Sequence, residues 1–333
     1  MRIPMPSRGF TLAELAVAMV IVALLLASAL WPLSTQMEMR AISETQRTME
    51  EIRDAIIGFA LATGRLPCPA DGSIAASQTK TKAYTPTSGS TTLAAGAEQY
   101  EPYPPSGSPR CMDVNSASPA AGIVYGVVPW STLGVKEVDA WGRRFGYRVS
   151  PAFTDAVSAG TWATSKTTTV PVSPEHQSTS PLSMTCNPPT DPAIPAPTLA
   201  SFALCTIGDI AVLNPTITTK TPTAAEATNV PAVIVSYGKN GVGAYQTNGF
   251  AVAGTTSTHE AANVSATTTA NPATVTPTGS VASYVVYSRE RSPASSGCSD
   301  TAADVPFCEF DDILIWIPSS TLVARMVSAG RLP

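Results

Sequence analysis

The chain has 333 residues, a formal net charge of −4 at pH 7, and 13% charged against 44% hydrophobic residues. With no basic patch interleaved with aromatics, that balance excludes ordinary nucleic-acid recognition. Six cysteines contain no C-x-x-C pair, and the only histidines, His176 and His259, lie in polar stretches, so zinc-site spacing is absent. No G-x-S-x-G elbow or H-E-x-x-H helix occurs, and enzyme activity is not expected.

In chain order, residues 1–9 form a short basic leader with Arg2 and Arg8, ending at Gly9. Phe10-Thr11-Leu12-Ala13-Glu14 then opens an apolar run that reaches Leu33, and no ionisable residue lies between Glu14 and Glu38. Leu15 to Leu33 is long enough to span a bilayer with little tilt, so residues 10–33 are expected as a transmembrane helix. A lone acid at the mouth of such a span costs about 3 kcal/mol on insertion scales, and so asks for a partner. Over residues 34–63 the helix is expected to continue as an amphipathic one. Ile42, Thr45, Met49, Ile52, Ile56, Phe59 and Ala62 follow a 3–4 spacing, with Glu44, Arg47, Glu50, Glu51, Arg53 and Asp54 on the other faces. Pro32 predicts a bend, and Gly64 followed by Pro67 predicts the stop. From Phe10 to Thr63 such a helix would measure about 80 Å at about 1.5 Å per residue.

Residues 64–333 form the head. Strand-like runs occur at Gly122 to Val128, Phe145 to Val149, Ala232 to Tyr237, Val281 to Tyr287 and Ile313 to Ile317. Between them lie Thr/Ser/Pro/Ala-rich segments, about 73–96, 161–201, 216–230 and 254–280, expected as long surface loops because they hold few large apolar residues. Gly238-Lys239-Asn240-Gly241-Val242-Gly243 lacks the order of a phosphate loop and reads as a glycine-rich turn after a strand. In Asp139-Ala140-Trp141-Gly142, the carboxylate is expected to cap a turn while Trp141 anchors the loop in the core. Ser319, Ser320 or Thr321 would cap a last helix through Ala329, ended by Gly330. Gly-Arg-Leu-Pro occurs at both Gly64 to Pro67 and Gly330 to Pro333, each copy as a helix stop.

Arg8-Gly9-Phe10-Thr11-Leu12-Ala13-Glu14 resembles the leader and cleavage site of type IV prepilins and type II secretion pseudopilins. The resemblance implies that a prepilin peptidase cuts after Gly9 and methylates the new terminus, Phe10. Glu14 then becomes the fifth mature residue, about 6 Å along the helix from a cationic amine. It can be neutralised by its own terminus or by that of an adjacent subunit, which would make it an assembly register. A competing reading takes Arg2 and Arg8 as the basic region of a secretory signal, with cleavage after Ala27-Ser28-Ala29. In the head, Gly64-Arg65-Leu66-Pro67-Cys68-Pro69, Val128 to Gly134, Asp139 to Gly142, Ser236 to Gly241 and Phe310-Asp311-Asp312-Ile313 are similar to a subgroup of minor pilin-like proteins. The implied fold is α+β and pilin-like, with the long helix backing an antiparallel sheet.

Several expectations follow from that resemblance. The protein would be a minor pilin or pseudopilin, anchored once in inner-membrane lipid with a periplasmic head in a Gram-negative cell. It would then join other pilin or pseudopilin subunits in a type IV pilus or type II secretion pseudopilus, with a tip position among the options. An adhesin-like or substrate-binding head on a pilin stem is the alternative, and a secreted or signal-anchored periplasmic protein the second. Losing the leader leaves 18 basic residues against 24 acidic ones, a net charge of −6. In an exported chain six cysteines fit three disulfides, with fifteen pairings open. The nearest-neighbour set, Cys68–Cys111, Cys186–Cys205 and Cys298–Cys308, is the pairing expected. In some pseudopilins acidic loop residues bind calcium, which nominates Asp139 with Glu137, or Asp311 with Asp312. Two adjacent carboxylates fall short of the six to eight oxygens that cation takes, and no other cofactor is expected.

Overall fold

The structure is a computed structural model that describes residues 12–84, 89–101, 110–111, 125–150, 153–154, 200–202, 204, 206, 208–216, 218, 220, 225–254, 257–264, 284–302 and 304–332, with backbone alone at 24–35, 82–84, 89–91, 100–101 and 110. It divides into two units, residues 1–44 and 45–333.

Helix α1, Leu12–Thr63, is 52 residues long and continues through Pro32. Gly64, in the left-handed region at φ 80°, ends it, and its amide donates to the Ala60 carbonyl at 2.8 Å. The buried stripe of its C-terminal part is Thr45, Thr48, Met49, Ile52, Ile56, Ile57 and Ala60. Of the expected stripe, Thr45, Met49, Ile52 and Ile56 are buried, Ile42 and Phe59 are half-buried, and Ala62 is exposed. The buried line passes onto Ile57 and Ala60, two positions before Phe59 and Ala62. Phe59 instead lies under the Arg65 guanidinium, 5.1 Å from its ring centroid. The polar step at Thr45 is fully buried, its hydroxyl accepting the Ala140 amide at 3.3 Å.

The central sheet has four antiparallel strands: β5 (Tyr125–Val127), β6 (Gly146–Val149), β9 (Ala232–Ser236) and β11 (Ile313–Ile317), in the order β11-β9-β6-β5. Every residue of β9 is buried, and its side chains alternate between two cores. Ala232 and Ile234 join Met49, Ile52, Ile56, Phe145, Tyr147 and Val149 beneath α1. Val233 and Val235 join Ile210, Val212, Val230 and Val286 on the opposite face. That second core belongs to a three-stranded sheet of β7 (Ile210–Leu213), β8 (Ala227–Val230) and β10 (Tyr284–Tyr287), in the order β10-β7-β8. Residues 45–333 are therefore layered as helix, sheet, sheet. The antiparallel expectation holds for the central sheet but not throughout, because β10 runs parallel to β7.

Three of the expected loops contain regular structure instead. Residues 73–96 hold an antiparallel pair, β1 (Thr79–Tyr84) with β2 (Gly89–Ala94), and 216–230 ends in β8. Within 254–280 lies helix α3, Thr258–Val264. The expected loop 161–201 falls outside the described residues except for 200–201. Strands β3 (Tyr100–Glu101) and β4 (Arg110–Cys111) pair beside the Cys68–Cys111 disulfide. Helix α2 (Trp130–Leu133) ends at Gly134, and α4 (Ser319–Ser328) is followed by Gly330, both glycines at positive φ. No side-chain cap starts α4: Pro318 holds the N-cap, and the Ser319 hydroxyl donates to the Asn229 carbonyl. Arg331 donates to the Leu61 and Ala62 carbonyls, so the second Gly-Arg-Leu-Pro satisfies the end of α1.

Candidate functional site

Glu14 lies in the first turn of α1, among Leu12, Leu15, Val17, Met19 and Val20, all more than half exposed. An apolar surface of that extent requires lipid or another apolar protein surface to cover it. Among the described residues no helix is long and apolar enough to cross a membrane. Side chains 24–35, which include the C-terminal part of the expected span, lie outside the described residues, as do Gly9 and Phe10.

In the head, the acids nominated from sequence divide into two groups. Asp139 is a cap. Its Oδ1 accepts the Trp141 and Arg143 amides at 2.9 and 3.0 Å, and its Oδ2 accepts the Ser236 hydroxyl at 2.7 Å. Burial pushes its carboxyl up, with those donors pulling the other way. Glu137 is committed to Arg144, accepting from Nη2 at 2.7 Å and Nε at 2.9 Å. The Asp139–Glu137 pair thus serves turn and ion-pair geometry. Trp141 is half-buried rather than a core anchor; the indole over Arg144, 4.5 Å from its guanidinium carbon, is that of Trp130.

Asp311 and Asp312 immediately precede β11 and are both buried. They meet a third acid, Glu260, on α3: one carboxylate oxygen from each of the three lies within 4.8 Å of the others. Glu260 was not among the sequence candidates, because its segment read as a loop. The signal was present in Ser257-Thr258-His259-Glu260, an S-x-x-E capping box, and the Glu260 amide donates to the Ser257 hydroxyl at 3.2 Å. Burial pushes Asp311 up to about 6, opposed by the Asn240 amide and reinforced by the charge of Glu260. Burial and then Glu260 raise Asp312 well above the carboxylate range.

Disulfides join Cys68 to Cys111 and Cys298 to Cys308. Cys186 and Cys205 lie outside the described residues. A groove of about 800 Å³ runs between Arg53, Ile57 and Leu61 of α1, Leu314 and Trp316 of β11, and Arg325 of α4.

A long N-terminal helix, acid-marked at its apolar start and backing an antiparallel sheet with its last turns, is consistent with a pilin-like α+β fold. Residues 4–30 match the family model described as the prokaryotic N-terminal methylation motif, which is the prepilin motif of type IV pilin-like proteins. The motif implies processing by a prepilin peptidase and assembly with other pilin-type subunits. No curated protein and no solved structure matches the chain.

Proposed function

We propose that this protein is a minor pilin or pseudopilin, a structural subunit rather than an enzyme. Prepilin peptidase cuts after Gly9 and methylates Phe10, and α1 holds the subunit once in the inner membrane with its head in the periplasm. The subunit then passes into a type IV pilus or a type II secretion pseudopilus. The prepilin motif at residues 4–30 carries this reading. The position of Glu14 supports it, because an acid in the first turn of an apolar helix is stabilised by a neighbouring amino terminus in a low-dielectric core.

Replacing Glu14 by Val tests the assembly step. Leader cleavage should proceed as in wild type, while the variant should be missing from sheared filament fractions. Normal incorporation of Glu14→Val would refute the register role. A recruiting or adhesin-like head is favoured by one observation, the groove beside α1 and β11. On that reading Trp316→Ala would lower ligand or surface adhesion yet leave incorporation intact.

A further inference from the structure

Helix α1 carries one glycine, Gly58, on its exposed side. Glycine inside a helix is unfavourable relative to alanine, so its use there asks for a close approach by something else. The protein's own described atoms make none: a Cβ built on Gly58 would meet nothing within 4 Å. The bare position opens onto the groove, with Ile57 and Leu61 beside it and Trp316 of β11 across from it. Strand β11 is the outermost of the central sheet, and among the described residues its backbone pairs with β9 alone. Two guanidiniums, Arg53 and Arg325, complete the lining. Apolar walls with cations at hand suit an aromatic ring. The protein packs its own rings that way, with Arg65 over Phe59 at 5.1 Å and Arg289 over Phe310 at 4.4 Å.

The same chain presents such a ring. Phe250 is 73% exposed, against 45% for Leu204 and 43% for Val327, the other exposed large apolar side chains described in residues 45–333. A tight turn holds it out. The Gln246 amide donates to the Phe250 carbonyl at 2.9 Å, the Gly249 amide to the Gln246 carbonyl at 2.9 Å, and the Phe250 amide to Asn248 Oδ1 at 2.9 Å. Gly249, at φ 83°, presses the turn onto the Ser73 carbonyl, where a Cβ would come within 2.4 Å. The Ala76 amide adds a bond to the Thr247 carbonyl at 2.8 Å. A ring fixed outward in this way loses little freedom when a partner covers it.

Turn and groove lie toward different ends of residues 45–333. Tyr245 and Gln246 pair with Arg144 and Arg143, ahead of β6, at the end of the sheet where Thr45 of α1 meets Ala140. The groove runs from Arg53 to Leu61, about 12–24 Å further along the helix than Thr45. Two separate patches on one molecule make a heterologous contact, which repeats head to tail rather than closing as a twofold pair. We propose that Phe250 of one copy seats in the groove of the next, beside Trp316 and Arg325, with Gly58 letting the incoming turn approach the helix backbone. As a filament contact this rests on the assembly reading above. As a contact between two copies it needs neither leader cleavage nor Glu14.

The test uses the full chain in detergent with p-benzoylphenylalanine, a photoreactive aromatic, in place of Phe250. Irradiation should give a covalent dimer, and mass spectrometry should place the link on residues 53–61 or 314–325 of the second copy. Gly58→Leu fills the groove with a better helix former whose Cβ meets no atom of its own chain, so Tm should hold or rise. The yield of linked dimer should nevertheless fall about tenfold or more, as when a buried aromatic anchor is lost. Arg325→Ala, at an exposed position, should lower the yield as well. Without the probe, sedimentation should show Phe250→Ala less associated than wild type and Phe250→Trp associated as before. Absence of the linked dimer overturns the proposal. So does a link outside the groove, or a yield unchanged in Gly58→Leu. Because the contact is read in detergent, it and the assembly role of Glu14 fail separately.

Discussion

Arg144 shows how much a single side chain organises in this head. Its guanidinium is fully buried, donates to Glu137 and to the Gly72, Ile74 and Thr247 carbonyls, and lies over Trp130. Replacement by Ala strands those acceptors and the carboxylate, and should cost about 3–5 kcal/mol in urea unfolding. Lys cannot reproduce the fork of five donors, so Arg144→Lys should recover only part of that loss. Asp71 supplies a pH-dependent contribution. Burial would raise its carboxyl, but the Ser73 hydroxyl and amide and the Lys80 ammonium outweigh it and hold it below its ordinary value. A depressed acid contributes stability that is present above its unfolded pKa of about 3.9 and is lost as pH falls through the folded value. Unfolding curves from pH 2 to 7 should therefore show an acid limb below about pH 4 that is shallower in Asp71→Asn.

At the scale of elements, the rotation of the α1 stripe makes a paired prediction. Ile52→Ala removes a fully buried side chain beneath the central sheet and should cost about 2–5 kcal/mol, whereas exposed Ala62→Ser should stay within about 0.5 kcal/mol. Equal losses would mean that the helix buries a different face. The Cys68–Cys111 bridge closes a separation of 43 residues, so Cys68→Ser with Cys111→Ser should lose about 4 kcal/mol on the loop-entropy account, read as a lower urea midpoint.

These elements were unequally legible. The strands of the central sheet were readable because Val, Ile and Tyr alternate between two buried faces, and Ile313–Ile317 was found to the residue. Of the second sheet only β10 was, within the run Val281 to Tyr287, since Ile210-Ala211-Val212-Leu213 is only four residues long and Ala227–Val230 carries the composition of the polar stretch before it. A parallel pairing such as β10 with β7, across some seventy intervening residues, leaves no local pattern at all. Asp311 and Asp312 were visible as acids, but their third member was masked by the alanine and threonine around α3. Asp139 was legible as a cap because its chemistry is local: two of its three donors lie within four residues.

The molecule as a whole combines two demands. Its first helical turns expose apolar surface around one acid, and its second unit, residues 45–333, is layered, disulfide-linked and held by partly buried ion pairs such as Arg65 with Glu98 at 2.8 Å. A subunit that leaves lipid and enters a filament needs a terminus that keeps its charge beside Glu14, so the position of cleavage is the point on which the account turns. Mass spectrometry of the mature protein measures it directly. The account predicts a chain lacking its first nine residues and beginning with N-methylated Phe10. A chain beginning at Leu30, with cleavage after Ala27-Ser28-Ala29, would remove Glu14 altogether and contradict it.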